Sequence, residues 1–397
     1  MNPPAVVVTG LGAVSSLGVG VDRHWQQALG GHAGIHPLGL FSTATHRTAI
    51  AAEVPDDAVL VPGRNLSRAE RFACTAAAEA VRDIPNEVLR SPRAGVFFGS
   101  STGALYEAEQ FLRALLQHRE GHLAPLAAQQ NDGPGTAVAR MLAVQGPVVC
   151  FSTACTSANV ALSAALDALR SGEIDVAVAG GADELCETTY AGFNSLRAVD
   201  SRPTRPFRQS RAGLSLGEGA GVLLLETLAH AQKRGASMLC ELVAAGLSCD
   251  AHHVSAPDPD GAAAAIGNAL QAAGLSPDAV TFVNAHGTGT THNDDAESKA
   301  LHAVFGARGS RIPVTSSKSL VGHLLGAAGG IEAVFTVLSI VHRLVPPTAG
   351  DEPADPALGL DVVIGEGRPL PAHNVGLSTN LAFGGNNAVV LFRSLRP

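Results

Sequence analysis

The run Val148-Val149-Cys150-Phe151-Ser152-Thr153-Ala154-Cys155-Thr156-Ser157-Ala158 decides how the rest of the chain is read. Val148 to Phe151 reads as a buried strand. Ser157 to Arg170 reads as a helix stopped at Ser171-Gly172, and the small residues between the two read as a tight turn. Cys155 is thereby placed near a helix N-terminus, where unpaired amides and the helix dipole favour the thiolate over the thiol. A buried structural cysteine fits the same stretch equally well. Distant residues must decide between a nucleophile and a core filler.

With 397 residues, 46% of them hydrophobic, and with 44 glycines, the chain suits a tightly packed α/β protein of one large domain or two intimately packed halves. The net charge of −8 argues against a general role on nucleic acid or on an anionic membrane, so an acidic partner needs a local basic patch. Six cysteines without a CxxC pair fit a reduced, cytoplasmic setting. Met1 to Gly12 reads as a first strand and not as a signal peptide, and no apolar run is expected to reach the roughly 18 residues of a membrane span.

Strands and helices alternate along the whole chain. Strands are expected at Ala5 to Thr9, closed by Gly10-Leu11-Gly12, then at Gly95 to Gly99, Ile174 to Ala179 and Gly219 to Glu226. Helices are expected at Asp22 to Leu29, Ser67 to Val81 and Ala104 to about His118. Past residue 238 the order starts again: a strand at Leu239 to Ala245, a helix at Ala262 to Ala273, a strand at Val280 to Asn284, a helix at Asp294 to Phe305, a strand at Pro313 to Thr315 and a long apolar helix at Gly329 to His342. Strands follow at Val375 to Thr379 and Ala388 to Phe392. Two similar α/β halves, 1–238 and 239–397, are expected, with largely buried strands.

Three stretches of the second half carry reactive residue types. Asn284-Ala285-His286-Gly287-Thr288-Gly289-Thr290 puts an imidazole on a tight turn after a strand. Ser316-Ser317-Lys318-Ser319-Leu320-Val321-Gly322-His323 holds one of only three lysines, Lys233, Lys299 and Lys318. Asn380-Leu381-Ala382-Phe383-Gly384-Gly385-Asn386-Asn387 closes the set. A lone histidine among 15 is an ordinary surface or core residue. Two of them on glycine-flanked turns, with a rare lysine and a candidate thiolate, fit acyl transfer with carbon–carbon bond formation: the sulfur holds the acyl group, and neutral imidazoles donate to an enolate oxygen. Glu297 is the expected counter-ion of Lys318, because a buried ammonium needs a partner.

Cys155, His286, Lys318 and His323 in this order, with Arg205-Pro206-Phe207, Gly217-Glu218-Gly219-Ala220-Gly221 and Phe383-Gly384-Gly385, make the chain resemble a β-ketoacyl-acyl carrier protein synthase, an elongating condensing enzyme of the thiolase superfamily. The resemblance spans essentially the whole chain. It implies a thiolase-like αβαβα layering. It also implies that Cys155 accepts the acyl chain, that His286 and His323 promote malonyl decarboxylation, and that Lys318 with Glu297 organises the site. The amides of Cys155 and Phe383 would form an oxyanion hole. No metal and no nicotinamide are implied, since the reactants arrive on phosphopantetheine arms.

The chain departs from the family pattern at Leu381, where a gating Phe is usual, at Ala382 in place of Gly, at Arg208 in place of an acid, and at Thr291-His292-Asn293. With His252-His253 and Pro257-Asp258-Pro259-Asp260-Gly261, these features look closer to ketosynthase subunits of type II polyketide systems, including polyene-forming ones. A homodimeric bacterial fatty-acid synthase and a non-catalytic chain-length-factor-like subunit are the alternatives, and Cys155 argues against the latter. The expected partners are an acyl carrier protein and either a second copy or a chain-length-factor-like subunit. Arg64, Arg68, Arg205 and Arg208 are the candidate docking residues. Arg64, Arg68 and Arg71 share one helix face, which also reads as an ordinary solvated face.

Overall fold

The computed structural model describes residues 4–55, 57–62, 65–121, 123, 126 and 130–395. The strands that carry the fold are β1 (Val6–Ser15), β2 (Ala94–Gly99), β3 (Val148–Phe151), β4 (Val176–Asp183), β5 (Gly219–Thr227), β6 (Cys240–Cys249), β7 (Phe282–Asn284), β8 (Pro313–Thr315), β9 (Val375–Leu381) and β10 (Asn386–Arg393). Hydrogen bonding runs β3-β2-β4-β5-β1 and then β6-β10-β9-β7-β8. Counted within its own half, each set follows one order, first-fifth-fourth-second-third, with the two pairs nearest the junction of the halves antiparallel and the two outer pairs parallel. The halves meet where β1 pairs β6, at Val7 with Glu241 and Val8 with Cys240.

The helices used below are α1 (Val21–Leu29), α2 (Arg68–Ala80), α3 (Leu105–Leu116), α4 (Gly133–Leu142), α5 (Ser157–Arg170), α6 (Glu187–Ser195), α7 (Pro259–Ala273), α8 (Thr291–Phe305) and α9 (Ala328–His342). α2 and α4 cover the outer face of the first sheet, and α7 and α8 cover that of the second. α5 and α9 lie between the sheets and touch each other. The result is the thiolase-like layering helix, sheet, helix, sheet, helix. The apolar faces of α5 and α9 share one core cluster with residues of both sheets, which accounts for their alanine, leucine and valine content.

Several boundaries differ from expectation for physical reasons. β1 does not stop at Gly10-Leu11-Gly12 but runs to Ser15. Those glycines are sites of close approach: a Cβ built on Gly12 would lie 1.8 Å from the carbonyl oxygen of Ala76 in α2, and one on Gly10 would lie 1.9 Å from that of Ala80. β4 likewise runs through Gly180-Gly181 to Asp183. α4 and α6 were not expected. Gly133-Pro134-Gly135 reads as a turn, yet proline in the first helical turn is well tolerated, and Ala137 and Val138 supply the buried face. α6 buries only Tyr190 and Asn194, four residues apart, so its apolar periodicity is faint.

The membrane expectation also needs correcting. The segment Leu325–His342 is long and apolar enough to span a bilayer by length and composition, but 89% of it is buried inside the protein, as suits the central helix of a layered fold. The predicted consequence of the β1 packing is that Gly12→Ala destabilises the chain by about 3 kcal/mol through overpacking. Urea unfolding checks this, and an unchanged midpoint would contradict the close approach.

Candidate active site

β3 ends at Phe151, and α5 begins at Ser157 after a turn whose Ala154 takes φ of +53°. A non-glycine residue in that region is strained and needs holding. Two hydroxyls do so: Ser157 Oγ donates to the Ala154 carbonyl at 2.6 Å, and Ser101 Oγ donates to it at 3.0 Å. The turn presents Cys155 at the start of α5, 6% exposed. Burial pushes its thiol up to about 11, while the charge of Lys318 and the backbone N–H of Phe383 pull the other way. The net direction is upward, opposite to the lowering expected from the sequence.

His286 lies two residues beyond the end of β7. The Glu297 carboxylate of α8 holds this turn from below, accepting from the N–H groups of His286 and Gly287 at 2.8 Å each and from the Thr379 hydroxyl at 2.6 Å. His286 Nδ1 faces Lys318 Nζ at 3.0 Å and Asn380 Nδ2 at 3.3 Å. Both partners are donors, so Nδ1 accepts and the ring proton sits on Nε2. His323 reaches the same tautomer differently, because its Nδ1 accepts from the Leu325 N–H at 3.0 Å. The two rings stand edge to face with centroids 5.3 Å apart. Burial, and next the charge of Lys318, hold both well below the usual imidazole range. Two neutral imidazoles thus keep Nε2–H groups that find no hydrogen-bond partner among the described residues.

The Lys318 pairing corrects the expectation from the sequence. Its ammonium is paired with Glu332 of α9, both residues being 1% exposed, and not with Glu297. Glu297 is occupied by the backbone of the His286 turn. Burial pushes the Glu332 carboxyl up to about 7 against the pull of Lys318. The sequence held a signal that went unused: Glu332 is the one carboxylate in the apolar helix α9.

Cys155, His286 and His323 open onto a single cavity of about 300 Å³, with Leu381, Ala382 and Phe383 on its wall. Leu381 is 5% exposed at the end of β9, and the Phe383 ring stacks on Phe193 with centroids 5.5 Å apart. The cavity also meets Arg197, His253 and His292, which sequence reasoning had not assigned to it. Arg197 and His253 come from irregular segments, where local periodicity carries no signal, and His292 from the first turn of α8.

The docking arginines fare worse. Arg68 donates through Nε to Glu218 at 2.8 Å and through Nη2 to the same carboxylate, deep beside Glu184. Arg208 is 1% exposed and donates to the carbonyls of Thr348 and Gly350, each at 3.2 Å. Arg208 is thereby shut away from a partner protein, while the Arg68 side chain stays 18% exposed with its charge spent on Glu218. Arg205 is largely covered and paired with Asp200 at 2.5 Å. Arg64 lies outside the described residues.

Comparison with known proteins fits this geometry. Residues 4–231 match the beta-ketoacyl synthase N-terminal domain, and residues 239–351 match the beta-ketoacyl synthase C-terminal domain. The 3-oxoacyl-[acyl-carrier-protein] synthase 2 of Synechocystis sp. is 37% identical, over 98% of this chain and 97% of that protein. That of Staphylococcus aureus is 34% identical, over 98% of each. Among solved structures, the ishigamide ketosynthase/chain length factor superposes with a TM-score of 0.94 at 34% identity, over 99% of this chain and 100% of that one. A type II polyketide acyl-carrier protein in complex with its ketosynthase bound to the hexaketide gives 0.89 at 29% identity, over 100% of both chains. The chain belongs to the beta-ketoacyl synthase family. It is a condensing enzyme, an acyltransferase that forms carbon–carbon bonds.

Two outcomes are expected from the charges. Glu332→Ala, which strands the Lys318 ammonium, costs about 3–5 kcal/mol in urea unfolding. An undisturbed midpoint would return the counter-ion role to Glu297. Iodoacetamide labelling of Cys155 rises with a half-transition near pH 11, because a thiol raised by burial stays protonated below that value. A plateau already reached at pH 8 would mean that the helix terminus outweighs burial.

Proposed function

We propose that this chain is an elongating ketosynthase acting on acyl chains carried by the phosphopantetheine of an acyl carrier protein. The observation that carries the reading is the shared cavity, in which one thiol faces two neutral imidazoles whose free edges are both N–H donors. In the first step the Cys155 sulfur attacks the carrier thioester. The oxyanion is held by the N–H groups of Cys155 and Phe383, and the proton of Cys155 leaves on the released carrier thiol. Next, malonyl-acyl carrier protein loses carbon dioxide, and the enolate oxygen accepts from Nε2–H of His286 and His323. The enolate carbon then attacks the acyl-Cys155 carbonyl. Collapse expels the Cys155 thiolate and leaves a β-ketoacyl carrier. The scheme calls for no metal.

Within it, Lys318 with Glu332 fixes the His286 tautomer, and Glu297 fixes the His286 backbone. Leu381 and Phe383 act as the gate to the acyl site. The halves 1–238 and 239–397 supply the thiol and the imidazoles respectively. We place the enzyme in the bacterial cytoplasm and in type II polyketide biosynthesis, beside a chain-length-factor-like subunit. The likeness to the ishigamide protein and to a ketosynthase in complex with its chain length factor from Xenorhabdus doucetiae supports this (TM-score 0.86, 30% identity, 99% of this chain and 98% of that one). The name of the curated relatives, 3-oxoacyl-[acyl-carrier-protein] synthase 2, supports a second reading as a fatty-acid enzyme, for which a homodimer is expected. Native mass analysis of the complex from its host separates them.

Incubation with an acyl-carrier thioester should add one acyl group by intact mass, and Cys155→Ala should abolish the adduct. His323→Ala should retain the adduct and lose condensation by about a hundredfold or more. A His323→Ala enzyme that condenses at the wild-type rate would overturn the assignment of roles.

A further inference from the structure

Asn380 is wholly buried on β9 and lies where the two halves of the site meet. Its side-chain nitrogen donates to Glu332 Oε2 at 2.8 Å and faces His286 Nδ1 at 3.3 Å. Its side-chain oxygen accepts from Asn159 Nδ2 at 2.6 Å. The direction of this amide is fixed at both ends. A carboxylate only accepts, so the nitrogen must face Glu332, and the Asn159 donor claims the oxygen. Asn159 belongs to α5, one turn beyond Cys155. The preceding residue, Thr379, points to the other face of the strand, where its hydroxyl accepts from the His286 N–H at 3.0 Å. Consecutive residues of β9 thus grip His286 by its backbone and by its ring.

We infer that Asn380 is a positioning residue for the decarboxylation step, its amide holding His286 as a neutral Nε2–H donor and tying that ring to the helix that carries Cys155. The inference rests on the ketosynthase reading. The charged and titratable groups around the ring are Lys318 and His323 from the segment between β8 and α9, Glu332 from α9, Glu297 from α8 and Cys155 from the turn before α5. Among them only Lys318 also donates to Nδ1, and Glu332 claims that ammonium as well. Asn380 supplies a second, uncharged donor to the same lone pair and occupies the other oxygen of Glu332. A proton is therefore kept off Nδ1 from two sides.

Asn380→Asp keeps the shape and turns the donor into a group that can accept a proton from Nδ1. With full-length enzyme, Cys155 acylation read by intact mass should stay within about threefold of wild type. Decarboxylation of malonyl-acyl carrier protein should fall by about a hundredfold, the effect of losing one oriented donor to the developing oxyanion. The acid limb of its pH profile should move up by about one unit, as expected beside a new carboxyl group. Asn159→Ala, which releases the Asn380 amide oxygen and also a 3.4 Å bond to the Ala388 carbonyl, should show a smaller loss of decarboxylation with acylation spared, and it serves if the first variant fails to fold. Wild-type decarboxylation and an unmoved limb in the folded variants would overturn the inference. So would equal losses of acylation and decarboxylation. A wild-type protein that takes no acyl group on Cys155 would overturn the ketosynthase reading, and the inference with it.

Discussion

The ammonium of Lys318, shut in the interior against Glu332 and His286, is the constraint on which the site depends. An isolated charge at that depth would cost several kcal/mol of desolvation. It is tolerated because Glu332 neutralises it and because a second of its three donors serves an imidazole. One cation then does three things. It occupies His286 Nδ1, it disfavours protonation of both histidines, and it draws the Cys155 thiol down from the value that burial alone would set. Without it, the rings could take up protons or the opposite tautomer, and their free edges would no longer be neutral donors.

The repeated strand order explains how such a site assembles from distant residues. In each half the third strand of the count is followed by the turn that leads into a central helix: β3 leads through Cys155 into α5, and β8 leads through Lys318 and His323 into α9. Since α5 and α9 pack side by side between the sheets, both turns reach one cavity. Asp183, at the end of β4, ties them together. It accepts from the Gly326 N–H at 2.6 Å beyond His323 and from the Ser101 N–H at 2.9 Å, and Ser101 in turn holds Ala154. The strain at Ala154 is thereby held by the same network that fixes the histidine turn.

Much of this was legible in the sequence. The strand before Cys155 and the helix after it fall at their predicted ends, because Gly172, the small-residue turn and the alanine-rich run are local signals, but the strand is a partly exposed edge strand and not the buried one expected. Residues chosen for their chemistry, Cys155, His286, Lys318 and His323, do converge. Pairings set by tertiary geometry were not legible. The sequence offered Glu297 to Lys318 by type alone, and only the packing of α9 shows that Glu332 reaches it. Arg68 sits at a spacing that suggests a surface face, yet Glu218, 150 residues away, draws it inward. Strand ends at glycine were misread for a related reason: a glycine that admits a crossing backbone looks the same in sequence as one that makes a turn.

The central claim is that both imidazoles stand neutral with the proton on Nε2. Nitrogen-15 NMR of histidine-labelled enzyme, with His286→Gln and His323→Gln used for assignment, tests it most directly. Both rings should show the Nε2–H neutral pattern at pH 7 and keep it as the pH falls through the ordinary imidazole midpoint. A protonated ring at pH 7, or an Nδ1–H tautomer on either residue, would contradict it.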